Sequence, residues 1–427
     1  MTTAGMRGRR SALVCLVAAC LPVGGSATTE IAAQVGTTVQ SIDNPFLFPD
    51  ASTDPRKRRD SVHSTDLGIA LRMPLPSDRS FLAVGATSSR QVYDALDQLD
   101  HTATQFDGLY QWEYGSALRG RVRHREGRSL YNYYGGFFTQ PEVPQARQDL
   151  VEVALRITPE LDLPVTVTQG SQRYQDASLA QRYNQEDKGL RLALTYASGR
   201  RSTVSVGVRQ NEVRFPDRTA TDIANIDSGY TDREVFVDAA WRYNENTIVF
   251  GRIGRLDRTF ASLSNRDTSL VSVSSGVEWQ YSPKTYLSVR GYRQPQTNSA
   301  ADVRLYVIST GLEGRVRYDL SAKTRFALTS SYEQQAYQTF ANTANASTGG
   351  KDKVLRLSAR LEYTPTPNVL LRLEGAREHY QPDAAVTTTG DFTRSSVQLG
   401  LSYTFDNMLG ANRARTQLEN MRYDRVQ

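Results

Sequence analysis
Apolar and polar residues alternate with a period of two along most of this chain, and that regularity constrains its fold more than anything else. From Ser395 to Phe405, Val397, Leu399, Leu401, Tyr403 and Phe405 share one parity; Ser396, Gln398, Gly400, Ser402 and Thr404 share the other. Leu355, Leu357, Ala359, Leu361 and Tyr363 oppose Arg356, Ser358, Arg360 and Glu362 in the same way. Val235, Val237, Ala239, Trp241 and Tyr243 oppose Glu234, Asp238 and Arg242, and the pattern returns at 271–281 and 190–196. Period two means strands with one apolar and one polar face. A soluble sandwich would bury the apolar face on a second sheet; a membrane barrel would turn it to lipid and line a wet lumen with the other. A few segments, 247–260 among them, do not phase cleanly.

The turns decide between these. Short ones fall at 74–78, 114–116, 158–162, 198–201, 244–246, 282–284, 319–323 and 365–368. They recur about every 40 residues, with a longer polar loop between each pair. Alternating tight turns and long loops are the habit of transmembrane barrels. The segments number about 18, each of roughly 11–14 residues, with 16 to 20 as the range; an even count leaves both chain ends on the short-turn side. Tyr114, Tyr196, Tyr243, Tyr281, Tyr318, Tyr363 and Tyr403 sit at short-turn ends, which predicts an aromatic girdle at one interface. Tyr93, Tyr131, Tyr174, Phe215, Phe260, Tyr337 and Tyr380 suggest a looser ring at the other ends. The fold class is therefore all-β, an up-and-down antiparallel transmembrane barrel.

Composition fits a wide barrel. Only 39% of the 427 residues are hydrophobic and the mean hydropathy is −0.49, yet each strand of a barrel needs just one apolar face. Residues 1–27 read as a secretory signal peptide: Arg7, Arg9 and Arg10, an apolar run from Ser11, then Gly25-Ser26-Ala27. Val17-Ala18-Ala19-Cys20 resembles a lipidation box, but the apolar run continues through Leu21 and Val23. Both cysteines, Cys15 and Cys20, lie in that segment, so the mature chain has no disulfide or thiol chemistry. The barrel is expected over 28–405 and a periplasmic tail over 406–427, placing the protein in the outer membrane of a Gram-negative bacterium.

The polar parity nominates lumen-lining residues: Arg119, Arg121, Arg123, Arg156, Arg191, Arg242, Arg315, Arg317, Arg356, Arg360 and Arg372, interleaved with acids such as Asp107, Glu152, Asp238 and Glu374. A ladder of Arg–carboxylate pairs is the plain reading. A basic track for anions is the functional one, with Arg119 to Arg125 as its best stretch; Arg121→Glu with Arg123→Glu is then expected to weaken anion preference and leave folding intact. Tyr131, Tyr133, Tyr134, Phe137 and Phe138 cluster in one loop, where they could stack on sugar rings or form a constriction. No cofactor, metal or catalytic motif is legible; of the four histidines only His124 and His379 merit a test as parts of a site in the wall. Nucleic acid is disfavoured, because basic residues alternate with acids along the strands.

The first mature strand runs into Asp43-Asn44-Pro45-Phe46, and a charged loop leads to a strand ending near Leu71. With the Trp112-Glu113-Tyr114-Gly115 turn and the closing Leu-Gly-Leu-Ser-Tyr-Thr-Phe, the chain resembles the EpsL-type outer-membrane barrels of exopolysaccharide operons. That resemblance implies a passive conduit for an anionic or neutral polysaccharide, fed by a periplasmic polysaccharide export protein, with outer-membrane lipid and the barrel-assembly machinery as further partners. The alternative is a general or anion-preferring diffusion porin for small solutes; a third reading is a barrel that anchors surface glycan assembly. The tail beyond Phe405 departs from such barrels: it either hangs in the periplasm or folds up into the pore. A frayed terminus is the plainer reading of its role, and a dock for the periplasmic export partner the livelier one.

Overall fold
The computed structural model describes residues 28–75, 79–130, 142–199, 201–296, 307–337, 350–383, 390–407 and 413–423. The signal segment and the 131–138 loop aromatics lie outside them. The described chain forms eighteen strands: β1 (Glu30–Ile42), β2 (Asp60–Pro74), β3 (Phe81–Tyr93), β4 (His101–Tyr114), β5 (Leu118–Arg128), β6 (Gln145–Thr158), β7 (Leu161–Arg173), β8 (Gln185–Ala197), β9 (Thr203–Arg214), β10 (Gly229–Asn244), β11 (Thr247–Phe260), β12 (Thr268–Ser282), β13 (Thr285–Gln296), β14 (Val307–Ser321), β15 (Thr324–Tyr337), β16 (Lys351–Tyr363), β17 (Val369–Gln381) and β18 (Phe392–Asp406). Three short helices join them: α1 (Ala177–Tyr183), α2 (Ala220–Ile226) and α3 (Arg413–Tyr423).

Each strand pairs antiparallel with the next, and β1 pairs with β18 from Ala32↔Asp406 to Ile42↔Ser396. The sheet is a closed barrel of 18 strands, so no edge is left with unsatisfied backbone groups. Its outer face is the apolar parity: Val235, Leu357 and Leu399 are 60%, 46% and 59% exposed, as lipid-facing residues are when no lipid is present. At the short-turn ends Tyr114, Tyr196, Trp241, Tyr243, Trp279, Tyr281, Tyr363 and Tyr403 point outward as the expected girdle. Two pairs pack edge-on, Trp241–Tyr243 at 5.3 Å and Trp279–Tyr281 at 4.9 Å. In the turn from β4 to β5, Gly115 takes φ +57°, which costs a glycine least.

The second aromatic ring is not a girdle. Tyr93, Tyr174, Phe215, Phe260 and Tyr380 are buried, each beneath the loops at the other mouth. Tyr93 joins Phe46, Phe48, Val62, Leu96 and Leu99; Phe215 and Phe260 join Val213, Tyr230 and Ile308; Tyr380 joins Leu47, Val354 and Phe392. These small cores give the long loops something to fold on. Tyr131 and the side chain of Tyr337 are not among the described groups. The same effect explains the unclear phase of 247–260. Phe250, Leu256 and Phe260 share the inward parity of β11 with Arg252 and Arg258, so apolar residues occur on both faces.

Two loops tie to each other. Asp176 caps α1 and Thr219 caps α2 through a capping box. Gln181 of α1 donates to Asp222 of α2 at 2.8 Å. Arg218 stacks on Phe215 at 3.6 Å and donates to the carbonyls of Ile226 and Asp227; burial pushes its pKa down to about 10, still charged at neutral pH.

Candidate functional site in the barrel lumen
Register decides what the inward parity can do, because it sets which charge faces which across a strand gap of about 5 Å. Arg121 lies directly opposite Glu152 and bonds it at 3.0 Å. Arg123 and Arg125 share Asp107 at 2.5 and 2.9 Å. Arg119 reaches past the small Ala154 to Asp162, at 2.7 Å, where Arg156 also arrives at 3.3 Å. The arginine run of β5 is thus neutralised by acids of β4, β6 and β7, which are distant in sequence. Glu126, the one acid near it in sequence, faces outward beside His124. Reversing Arg121 and Arg123 would set carboxylates against Glu152 and Asp107, so the expectation that folding stays intact is revised.

A second lattice spans β8 to β12. Arg191 and Arg252 both bond Asp238, at 3.0 and 3.1 Å. Arg209 and Arg252 both bond Glu234, at 2.9 and 2.8 Å, and the Ser272 hydroxyl donates to the same carboxylate at 2.8 Å. The Phe236 ring is buried with the guanidinium carbons of Arg191 and Arg252 at 4.8 and 4.2 Å from its centre. A third group lies on β15 to β18: Arg356 bonds Glu378 at 2.9 Å, Arg394 bonds it at 2.7 Å, Arg360 bonds Glu374 at 3.2 Å, and Arg372 pairs with the same Glu374. Arg242, Arg315 and Arg317 stand apart, toward the short-turn ends of β10 and β14. Among the described residues Arg315 has only Glu313 of its own strand as an ion-pair partner, at 3.7 Å, and Arg317 lies over the Tyr286 ring at 5.2 Å. Neither Arg242 nor Arg317 has an ion-pair partner among the described residues. His124 and His379 sit on the outer face, His124 against Asp149 at 2.6 Å and His379 against the Thr393 hydroxyl at 3.1 Å.

The first strands present another surface. Inward positions of β1 to β3 carry Ala32, Gly68, Ala70 and Gly85, and α3 lies on them. Ala414 and Leu418 are fully buried against Ala32 and Ala70. A Cβ on Gly68 would come within 3.0 Å of Leu418, and one on Gly85 within 2.6 Å of the Met421 sulfur. Glu30 receives the first amides of the helix, Arg413 N–H at 2.6 Å and Ala414 N–H at 3.3 Å, and bonds Arg72 at 3.5 Å. Asn407 accepts from Ile31 N–H and donates to the Thr29 carbonyl, both at 2.8 Å. Of the two placements open to the tail, its described part takes the second: 413–423 is folded inside the barrel, not frayed below it. The cue in the sequence was a set of small residues on the lumen parity of adjacent strands, matched by Ala414, Leu418 and Met421 at helical spacing.

Beyond α3 the lumen opens into a cavity of about 350 Å³ with Met421 at its base. Gln34, Thr38, Ser64, Thr87, Ser89, Gln91, Gln105 and Gln398 line one side; Arg360, Arg372 and Glu374 line the other. The candidate site therefore combines a wall rich in hydroxyls and amides that also carries Asp66, a salt-bridged wall and a helix lodged between the strands and the pore axis.

Residues 251–405 match a family model described as "Putative beta-barrel porin 2". No curated protein matches the chain. Among solved structures, OccAB3 of Acinetobacter baumannii is similar with 11% identity over 88% of this chain and 99% of that one, TM-score 0.49. OccK2 (OpdF) of Pseudomonas aeruginosa gives 9% identity, 89% and 98% coverage and a TM-score of 0.49. OccK9 (OpdG) of the same organism gives 11%, 88% and 98%, and 0.47.

Proposed function
We propose that this chain is an outer-membrane pore for the passive passage of small polar solutes, narrowed at its short-turn mouth by its own C-terminal helix. The observation that carries the reading is the division of faces: apolar outward, ion-paired and hydroxyl-lined inward, with a lumen cavity above α3. The porin family match over 251–405 supports it. Most lumen arginines are neutralised by neighbouring carboxylates, so any anion preference is mild and comes chiefly from Arg242, Arg315 and Arg317. Purified protein in planar bilayers tests this directly. Discrete conductance steps are expected; a silent wild type whose 406–427 deletion is also silent would sink the pore reading.

A second reading is the exopolysaccharide conduit that the EpsL resemblance implies. The hydroxyls and amides of Gln34, Thr38, Thr87, Ser89 and Gln398, with Asp66 among them, favour it, since such groups suit a polyol chain. In that case a periplasmic export protein would have to unseat α3. Deleting the gene separates the two: lost polymer secretion with normal small-solute uptake supports the conduit, and the reverse supports the porin.

A further inference from the structure
Three inward aromatic residues lie over glycines of the neighbouring strand. A Cβ on Gly207 would meet the Phe236 ring at 2.7 Å, one on Gly276 the Phe250 ring at 2.5 Å, and one on Gly311 the Tyr292 ring at 2.5 Å. A glycine has no side chain to lift the ring, so each ring lies across the backbone beside it. Phe236 is buried, with the guanidiniums of Arg191 and Arg252 over it. Phe250 and Tyr292 are only half-buried. Phe250 has no ring or cation partner among the described residues, and the guanidinium carbon of Arg290 is 5.7 Å from the centre of the Tyr292 ring.

Register sets these two rings side by side on one wall. Phe250 faces Gly276, Gly276 faces Arg290, and Arg290 faces Glu313; one inward position along, Ser274 faces Tyr292 and Tyr292 faces Gly311. The rings therefore rest on β12 and β14, two strand spacings or ~10 Å apart, with Arg290 of β13 between them. Arg290 is exposed and has no ion-pair partner among the described residues. Ser274, Ser288 and Glu313 share the inward face, and the Tyr292 hydroxyl donates to Glu333 at 3.2 Å. By strand order β11 stands nine strands from β2, half of the 18, so this wall lies across the barrel from the seat of α3.

Two rings facing each other would clamp a flat aromatic acid. Two rings side by side suit a longer ligand, with apolar faces at intervals and polar groups along its edges. An oligosaccharide has that form: the C–H faces of its pyranose rings can rest on the aromatic rings while its hydroxyls reach Ser274, Ser288 and Glu313. An arginine between the platforms, not committed to a carboxylate of the wall, adds a preference for a carboxylated sugar. We propose that the β11–β14 wall is a stacking subsite for an acidic oligosaccharide, with Phe250 and Tyr292 as the platforms and Arg290 as the carboxylate contact. The proposal deepens the pore reading and rests on it for the route by which a sugar reaches the wall; binding itself is measured without current.

The test uses the full-length barrel purified in lauryldimethylamine oxide, which carries no sugar headgroup, with folding checked by heat-modifiable gel mobility. Affinities are read from saturation-transfer NMR titrations with tetragalacturonate, cellotetraose and benzoate. The wild type is expected to bind both tetrasaccharides saturably, the acidic one more tightly, and benzoate more weakly than either. Phe250→Leu and Tyr292→Leu should each weaken both tetrasaccharides by about tenfold. Arg290→Gln should weaken tetragalacturonate alone, and Gln91→Leu with Gln398→Leu, in the cavity beside α3, should change neither. No saturable binding by the wild type, benzoate bound as tightly as the sugars, or tetrasaccharide affinities untouched by the two ring variants overturns the proposal. If Phe250→Leu fails to fold, Phe250→Met takes its place, with the same loss expected and an unchanged affinity overturning the proposal. Bilayer conductance on the same samples keeps the readings apart: binding without conductance sinks the pore and leaves this wall standing, and conductance without binding does the opposite.

Discussion
Two parts of one wall, built from the same strands at the same spacing, meet the lumen differently. From β4 to β12 the inward positions hold a lattice in which single carboxylates serve two arginines: Asp107, Asp162, Glu234 and Asp238. From β1 to β3 they hold Ala32, Gly68, Ala70 and Gly85 under a helix, with Ser, Thr and Gln above. Shared charge pairs cross-link neighbouring strands, and they resist change because removing one member strands the other. Small side chains bind nothing themselves but leave room for a separate element. One wall is stiffened; the other is shaped to receive something removable.

Removing the helix should break the contrast most visibly. Deleting 406–427 is expected to raise single-channel conductance severalfold, approaching an open barrel of ~16–18 strands; an unchanged conductance would mean that α3 does not obstruct the path. Gly68→Leu attacks the seat instead of the plug. With Leu418 already 3.0 Å from the new Cβ, the helix has to shift, and conductance should rise part of the way toward the truncated value. Barrel stability, read from the urea midpoint of the gel-mobility transition, should hardly move. On the stiff wall the pattern inverts. Glu234→Ala leaves Arg209, Arg252 and Ser272 without their shared acceptor, and is expected to cost about 1–3 kcal/mol in the same urea experiment with little change in conductance. The smallest effect is on ion selectivity. Arg242→Gln with Arg317→Gln should shift reversal potentials toward cations more than Arg121→Gln with Arg123→Gln does, because the first two lack carboxylate partners among the described residues. Equal shifts would show that pairing does not set the pore's field.

Much of the fold was legible because lipid makes a simple demand. Leu355, Leu357, Leu361 and Tyr363 declare their face whatever lies beside them, and the tight turns count the strands. What depended on neighbours was not legible. Arg119 gives no sign that its partner is Asp162, since that follows from register across two strands and from the small Ala154 between them. Phe250, Leu256 and Phe260 blurred β11 because inward apolar residues at the loop mouth are selected by packing rather than by lipid. Tyr93 and Tyr380 sit at strand ends just as girdle residues do, and only the loop cores beneath which they are buried set them apart. The helix α3 was hidden for a similar reason: its apolar side is three residues wide, too little to signal burial without the Ala and Gly seat opposite.

The contacts of α3 also fix an order of events. Its seat is Glu30, Ala32, Gly68, Ala70 and Gly85, which belong to β1 to β3, whereas the helix follows β18 and is made after all of these strands. Glu30 holds its start while Asn407 ties the end of β18 to Thr29 and Ile31. The helix can be clasped this way only after β18 has met β1. On the proposed pore reading, a barrel that has not closed is an open hole, and the seated helix marks that closure is complete.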